Sequence, residues 1–253
     1  MILGVSHIVL GSTNLERDRQ LFESWGWQLR FEQRDIATFE GKRPFMCTSS
    51  DDLSLAFLLP PQGTPVELIH YANDPPDDLP APLQIVLPAG DLTSETHAIL
   101  PHVSELRIDG LTSPLWISTE APQPSLIIHR VSDLDTACCF WEKGLGFRRS
   151  KQPSPIAGAV LLEFPSLMPQ WRASLLLVPT EGPPARPLLD GPGFRVLSMV
   201  STQFEKDRTR MFEQGGAIAS TGTMEEKIGG KEMLLDLVQG PDGIMVEIFQ
   251  TLR

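Results

Sequence analysis

Positive charge is scarce in this chain. Its 21 lysines and arginines face 32 acidic residues, giving a net charge of −11. So acidic a molecule repels a phosphate backbone and an anionic bilayer, which argues against nucleic acid and membranes as partners. No apolar run is long enough to span a bilayer. No signal-peptide pattern precedes the first strand-like run, so the expected compartment is the cytoplasm. The three cysteines, Cys47, Cys138 and Cys139, have neither zinc-ligand spacing nor an even disulfide framework, as expected in a reducing compartment. Cys138 and Cys139 adjoin inside a helix-like run and read as small apolar packing. The glycine pairs at 215–216 and 229–230 lack phosphate-loop spacing, and Ser6-His7 and Thr13 form no serine-hydrolase elbow. Tyr71 is the single tyrosine.

What is present is a repeated unit. The 253 residues are 41% hydrophobic and 21% charged, a globular composition with room for a sizeable core and two domains. Val5 to Leu10 reads as a strand carrying His7, Asn14 as a helix cap, Leu15 to Trp25 as a helix closed by Gly26, and Gln28 to Gln33 as a strand. Leu53 to Leu59 and Val66 to Tyr71 follow as a hairpin. A second, shortened unit has a strand at Leu83 to Leu87, a helix from Asp91 to about Leu100, and weak strands at Leu106 to Ile108 and Leu115 to Ile117. In the third, Ser125 to Val131 is a strand and Asp133 caps a helix, Leu134 to Lys143, that stops at Gly144. Its further strands are Phe147 to Arg149, Ala159 to Phe164 and Ser174 to Val178. The fourth runs from Phe194–Val200 through a helix, Phe204 to Gln214, to strands at Glu232–Val238 and Met245–Gln250. Proline clusters at Asp74–Pro82, Pro122–Pro124 and Pro183–Pro187 read as linkers. The expected class is α+β, with modules at 1–72, 82–122, 124–180 and 193–253. These pair in chain order into an N-terminal domain, 1–122, and a C-terminal domain, 123–253.

Two stretches resemble a known family. One is Val131-Ser132-Asp133-Leu134-Asp135, running on to Phe140-Trp141-Glu142-Lys143-Gly144-Leu145-Gly146-Phe147. The other is Gly240-Pro241-Asp242-Gly243-Ile244-Met245-Val246-Glu247-Ile248. Both are similar to the vicinal oxygen chelate superfamily of glyoxalase, bleomycin-resistance and extradiol-dioxygenase proteins. The resemblance implies βαβββ modules paired into two curled mixed sheets, each around a cavity. It also implies two metal-ligand positions per module: a His or Gln on the first strand, seven residues before the helix cap, and a Glu on the last strand.

His7 stands seven residues before Asn14 and Gln84 seven before Asp91, whereas the same spacing reaches Leu126 and Arg195 in the later modules. The last-strand glutamates are Glu67 and Glu247. The resemblance therefore implies a divalent metal ion held by His7, Glu67 and Gln84 in the N-terminal cavity, with Glu67 also moving a proton. The activity implied is a glyoxalase-type isomerase or lyase acting on a carbonyl or enediolate substrate. The alternative is a metal-free protein that sequesters a small molecule, or an enzyme without metal, using the same cavity. Extradiol ring cleavage needs two His and one carboxylate, and only one His falls at an expected position. Strand parity puts Tyr71 on the Glu67 face, where it is a candidate substrate contact, and turns His70 away; His129 likewise faces away from the Leu126 position. Arg195 and Glu247 read either as an ion pair that recognises a substrate anion or as a structural pair filling a dead site. The loop Ile36 to Ser50 is placed to cover the opening. The partners expected are a small molecule and, for a chain acting as monomer or homodimer, a second copy of itself.

Overall fold

The computed structural model describes residues 1–61, 63–73, 83–88, 96–100, 103–106, 115–118, 125–168, 171–181, 188–191 and 193–252. The first module comprises β1 (Ile2–Gly11), α1 (Leu15–Ser24), β2 (Gln28–Ala37), β3 (Asp52–Leu59) and β4 (Val66–Tyr71). Asn14 caps α1 by accepting from the Arg17 N–H, and Gly26 leaves the helix at a φ of 83°, a conformation glycine adopts without steric cost. A 3₁₀ segment, Glu40–Phe45, crosses between β2 and β3.

The second module contributes β5 (Leu83–Pro88), β6 (Thr96–Leu100), β7 (Val103–Leu106) and β8 (Leu115–Ser118). The helix expected up to Leu100 is replaced over 96–100 by β6, which pairs antiparallel with β7, Thr96 opposite Leu106 and His97 opposite Glu105. Pro101 disfavours the helical region for Leu100, and the β-branched Thr96 and Ile99 suit a strand. Asp91, His102, Arg107 and Ile108 lie outside the described residues, as do the proline clusters and the expected domain border at 122–124.

The third module is β9 (Ser125–Val131), α2 (Leu134–Cys139), β10 (Arg148–Arg149), β11 (Val160–Phe164) and β12 (Ala173–Pro179). Asp133 caps α2 as expected, but the helix passes through Gly144 in a π-helical turn, Phe140–Leu145, and ends at Gly146, whose φ is 88°. The fourth module is β13 (Gly193–Ser201), α3 (Phe204–Glu213), β14 (Ala219–Ser220), β15 (Met224–Ile228), β16 (Lys231–Gln239) and β17 (Met245–Thr251).

The described strands join in one large, curled mixed sheet. Its register does not pair the modules in chain order. β1 runs antiparallel to β13, with β4 parallel to β1 and β17 parallel to β13 on either side. β5 runs antiparallel to β9, flanked by β8 and β12. The first module thus adjoins the fourth, and the second adjoins the third. Helices cover one face of the sheet, burying Phe22, Trp27, Phe140, Trp141, Phe204 and Met211. On the opposite face, Val9, Leu55, Ile69, Val196, Leu235 and Leu237 form a second apolar cluster that walls a cavity. No described helix is long and apolar enough to cross a membrane.

Candidate functional site

Strand alternation carries the site. On β1, Ile8 and Leu10 join the core beneath the helices while His7 and Val9 face the cavity. On β4, Val66 and Leu68 turn to that core, and Glu67, Ile69 and Tyr71 turn to the cavity. On β17, Val246 and Ile248 are core, and Met245, Glu247 and Phe249 face inward. Register then aligns them: His7 lies opposite Ser198 of β13, Ser198 beside Glu247, and Glu67 beside Val9.

His7 Nε2 is 4.0 Å from Glu67 Oε2 and 3.8 Å from Glu247 Oε1. His7 Nδ1 contacts Ser6 Oγ at 3.1 Å, and its Nε2 is buried without a hydrogen-bond partner. Burial lowers the His7 pKa to about 3, so the imidazole is neutral. Burial raises the Glu67 carboxyl to about 8, the charge of Glu247 adds to the rise, and Lys42 opposes it. Burial also raises the Glu247 carboxyl, against a hydrogen bond from Ser198 Oγ at 2.5 Å and the charge of Lys42. Two repelling carboxyls beside a neutral imidazole make a site that a cation would relieve.

The residues fit a divalent ion on that ground: one imidazole nitrogen with an unused lone pair and two carboxylates, all buried. As they stand, no group of three or more His, Cys, Asp or Glu side chains among the described residues is close enough to grip a metal, so the trio would have to draw in around it.

Gln84 is not part of this trio. It stands on β5 opposite Ile128 of β9, in the sheet region built by the second and third modules. The expectation that it would share a cavity with His7 fails because β13, not β5, is the neighbour of β1 over its length. Arg195 does not form the expected pair with Glu247. It sits at a register irregularity of β13, between Phe194, which pairs with Leu10, and Val196, which pairs with Val9. There it is buried, with Asp190 as the nearby acid, and the Gly191 backbone packs so closely that a Cβ would come within 2.7 Å of the guanidinium carbon. Burial lowers its pKa to about 10.

The counterpart of His7 in the fourth module is instead Val196. Ser12 Oγ donates to Asp18 at 2.6 Å and Ser201 Oγ to Asp207 at 2.7 Å, six residues apart in both modules. Superposing those pairs places Asn14 on the α3 cap, Gln203, and His7 on Val196. Seven residues before the α3 cap, Gln203, the position falls on Val196, one residue beyond Arg195. Leu126 and Val196 are both apolar, so His7 is the only imidazole at these equivalent positions in the first, third and fourth modules.

Tyr71 is placed as expected, 5% exposed on the cavity wall; burial, Asp190 and Glu67 push its hydroxyl above the usual phenol range. His70 turns outward, with Nδ1 2.9 Å from the Ser12 carbonyl. His129 is a core residue whose Nδ1 accepts from Trp141 Nε1 at 3.3 Å. Ser198 and Lys42 escape sequence reasoning. Ser198 is recognisable only through register, and Lys42 only once the 3₁₀ segment is folded against the cavity.

The cavity has two lobes meeting at Glu67 and Glu247. An open outer cleft of about 310 Å³ is lined by His7, Phe31, Phe57, Met233 and Phe249. A narrow inner lobe of about 40 Å³, room for one small polar group, is lined by Val9, Lys42, Leu55, Tyr71, Val196 and Glu226.

Residues 125–248 match the Glyoxalase/Bleomycin resistance protein/Dioxygenase superfamily. Among solved structures, a variant of glyoxalase I from Zea mays superimposes with a TM-score of 0.64 at 17% identity, covering 98% of this chain and 93% of the other. Another structure of Zea mays glyoxalase I gives 0.58 at 15% identity, covering 98% and 92%. At these identities the likeness is one of fold. No curated protein matches the sequence.

Proposed function

The chain carries, over residues 125–248, a domain of the Glyoxalase/Bleomycin resistance protein/Dioxygenase superfamily, and from that premise we propose that it is a small-molecule enzyme of glyoxalase type, a divalent-metal-assisted isomerase or lyase acting on a carbonyl substrate between the first and fourth modules. The observation that supports this reading is the buried, unpartnered His7 Nε2 at 3.8 and 4.0 Å from two carboxyls with raised proton affinity. His7, Glu67 and Glu247 would hold the ion, replacing the set that included Gln84. When bound, such an ion polarises a carbonyl and stabilises negative charge on its oxygen.

The chain's own groups divide the remaining work. Ser198 fixes Glu247 by its hydrogen bond, whereas the Glu67 carboxyl accepts no hydrogen bond among the described residues. Glu67 is therefore the carboxylate free to take a proton from the carbon beside the carbonyl and return it to a neighbouring atom. His7 stays neutral and keeps its Nε2 lone pair available. Phe57 packs edge-on against its ring at 5.1 Å, which fixes the imidazole at the cleft wall.

Elemental analysis of protein purified without chelator tests the reading. Near-stoichiometric divalent metal in the wild type, lost in His7→Ala, is the expected result. A metal-free wild type that also takes up no added divalent ion would overturn it. One observation favours a second reading, metal-free sequestration of an aromatic or apolar ligand: Phe31 and Phe57 stack at 5.3 Å, 4° from parallel, in the outer cleft beside Phe249. Tight ligand binding by chelator-treated protein, unchanged in Glu67→Gln, would select it.

A further inference from the structure

The inner lobe contains chemistry that the metal trio does not use. Its walls are apolar (Val9, Leu55, Ile69 and Val196 among them), yet two donors project into it. Lys42 reaches it from the 3₁₀ segment Glu40–Phe45, half-buried, and its ammonium forms no hydrogen bond or ion pair among the described residues. Its ammonium is near enough to Glu67 and Glu247 to lower the proton affinity of both. Tyr71 is 5% exposed, and its hydroxyl has no hydrogen-bond partner among the described residues. The phenol O–H opens on the cavity and remains available to donate to a ligand there. Two further acids bear on the lobe: Glu226, which lines it and forms no ion pair with Lys42, and Asp190, whose charge reaches the Tyr71 hydroxyl.

We propose that Lys42 and Tyr71 form a carboxylate anchor, and that the substrate is a small oxo acid whose carboxylate lies in the inner lobe while its carbonyl faces His7, Glu67 and Glu247. A single ammonium and a phenol O–H supply one positive charge and one directed donor, which matches the single charge of a carboxylate rather than the double charge of a phosphate. The low dielectric of the apolar walls strengthens that contact. A divalent ion on the trio would offset Glu67 and Glu247, removing the main repulsion an incoming anion meets. This assignment rests on the metal-assisted reading, and it adds what that reading lacks, a reason for one charge class of substrate.

The test is calorimetric titration of the metal-loaded full chain with levulinate and with acetoacetate, each against its methyl ester. The acids should bind the wild type about tenfold more tightly than the esters, as expected of one charge-assisted contact. Lys42→Met should erase that preference by weakening the acids to the level of the esters, Lys42→Arg should retain it, and Tyr71→Phe should narrow it. Equal binding of acid and ester by the wild type overturns the anchor, as does a preference that survives Lys42→Met, which would place the carboxylate on the metal. Metal content, measured on the same samples, reports separately on the trio. A preference that depends on Lys42 in protein holding no metal would sink the metal reading and leave the anchor standing.

Discussion

Glu67 and Glu247 face the same imidazole under different restraint, and the difference is testable at the residue scale. The Glu67 carboxyl is raised from an ordinary 4.5 to about 8, with burial the larger cause and Glu247 the next. A carboxyl with a raised folded pKa contributes stability below its unfolded pKa and loses it as pH rises through the folded one. In chelator-treated protein, the stability of the wild type relative to Glu67→Gln should therefore fall between pH 4.5 and about 8. The loss is on the order of 4 kcal/mol at the upper end. Thermal melting across that range reads the effect, and a saturating divalent ion should suppress it. A wild-type minus variant difference that stays flat with pH would show that Glu67 is not held protonated. His7 and Glu67 could be picked out in the sequence through the family resemblance, which marks the position seven residues before Asn14 and a glutamate on the last strand. Ser198 and Lys42 could not, since neither stands at a spacing that marks it.

At the scale of elements, one contact between helices stands out. The π-helical turn of the third module meets the end of α3 glycine to glycine. A Cβ at Gly215 would lie 2.6 Å from the Gly144 Cα, and Arg210 Nε donates to the Gly144 carbonyl at 3.0 Å. Neither backbone can yield without moving its helix. Gly215→Ala should therefore cost about 1–3 kcal/mol by forced separation, whereas Gly216→Ala, with φ of 73° and open space around it, should cost only about 1 kcal/mol of backbone strain. Denaturant titrations of the two variants decide, and equal losses would contradict the close contact. The helix caps Asn14 and Asp133 could be read locally, because a cap is a bond between residues three apart. The change from helix to strand at Thr96–Leu100 was harder to read, because Pro101 and the β-branched Thr96 and Ile99 only weakly favour a strand until β7 pairs with β6.

For the whole molecule, the module pairing decides which residues act together. His7 and Glu247 lie at opposite ends of the chain, yet β1 and β13 bring them within 3.8 Å. Gln84 is closer to His7 in sequence and stands beside β9 instead. Glu247→Gln should thus lose metal as His7→Ala does, while Gln84→Ala should retain it, as read by metal content. Loss of metal in Gln84→Ala with retention in Glu247→Gln would return the site to the pairing expected from chain order.

The sequence by itself determined the repeated strand–helix–strand unit, the inward faces of its strands and the sign of the molecule's charge, because alternation, capping and composition act over a few residues. Only the tertiary structure decided that the first module adjoins the fourth, that Val196 rather than Arg195 matches His7, and that Lys42 looks into the cavity. Those outcomes depend on which strand edges meet, and hydrogen bonding along an edge is nearly indifferent to side-chain identity, so no local pattern announces the partner.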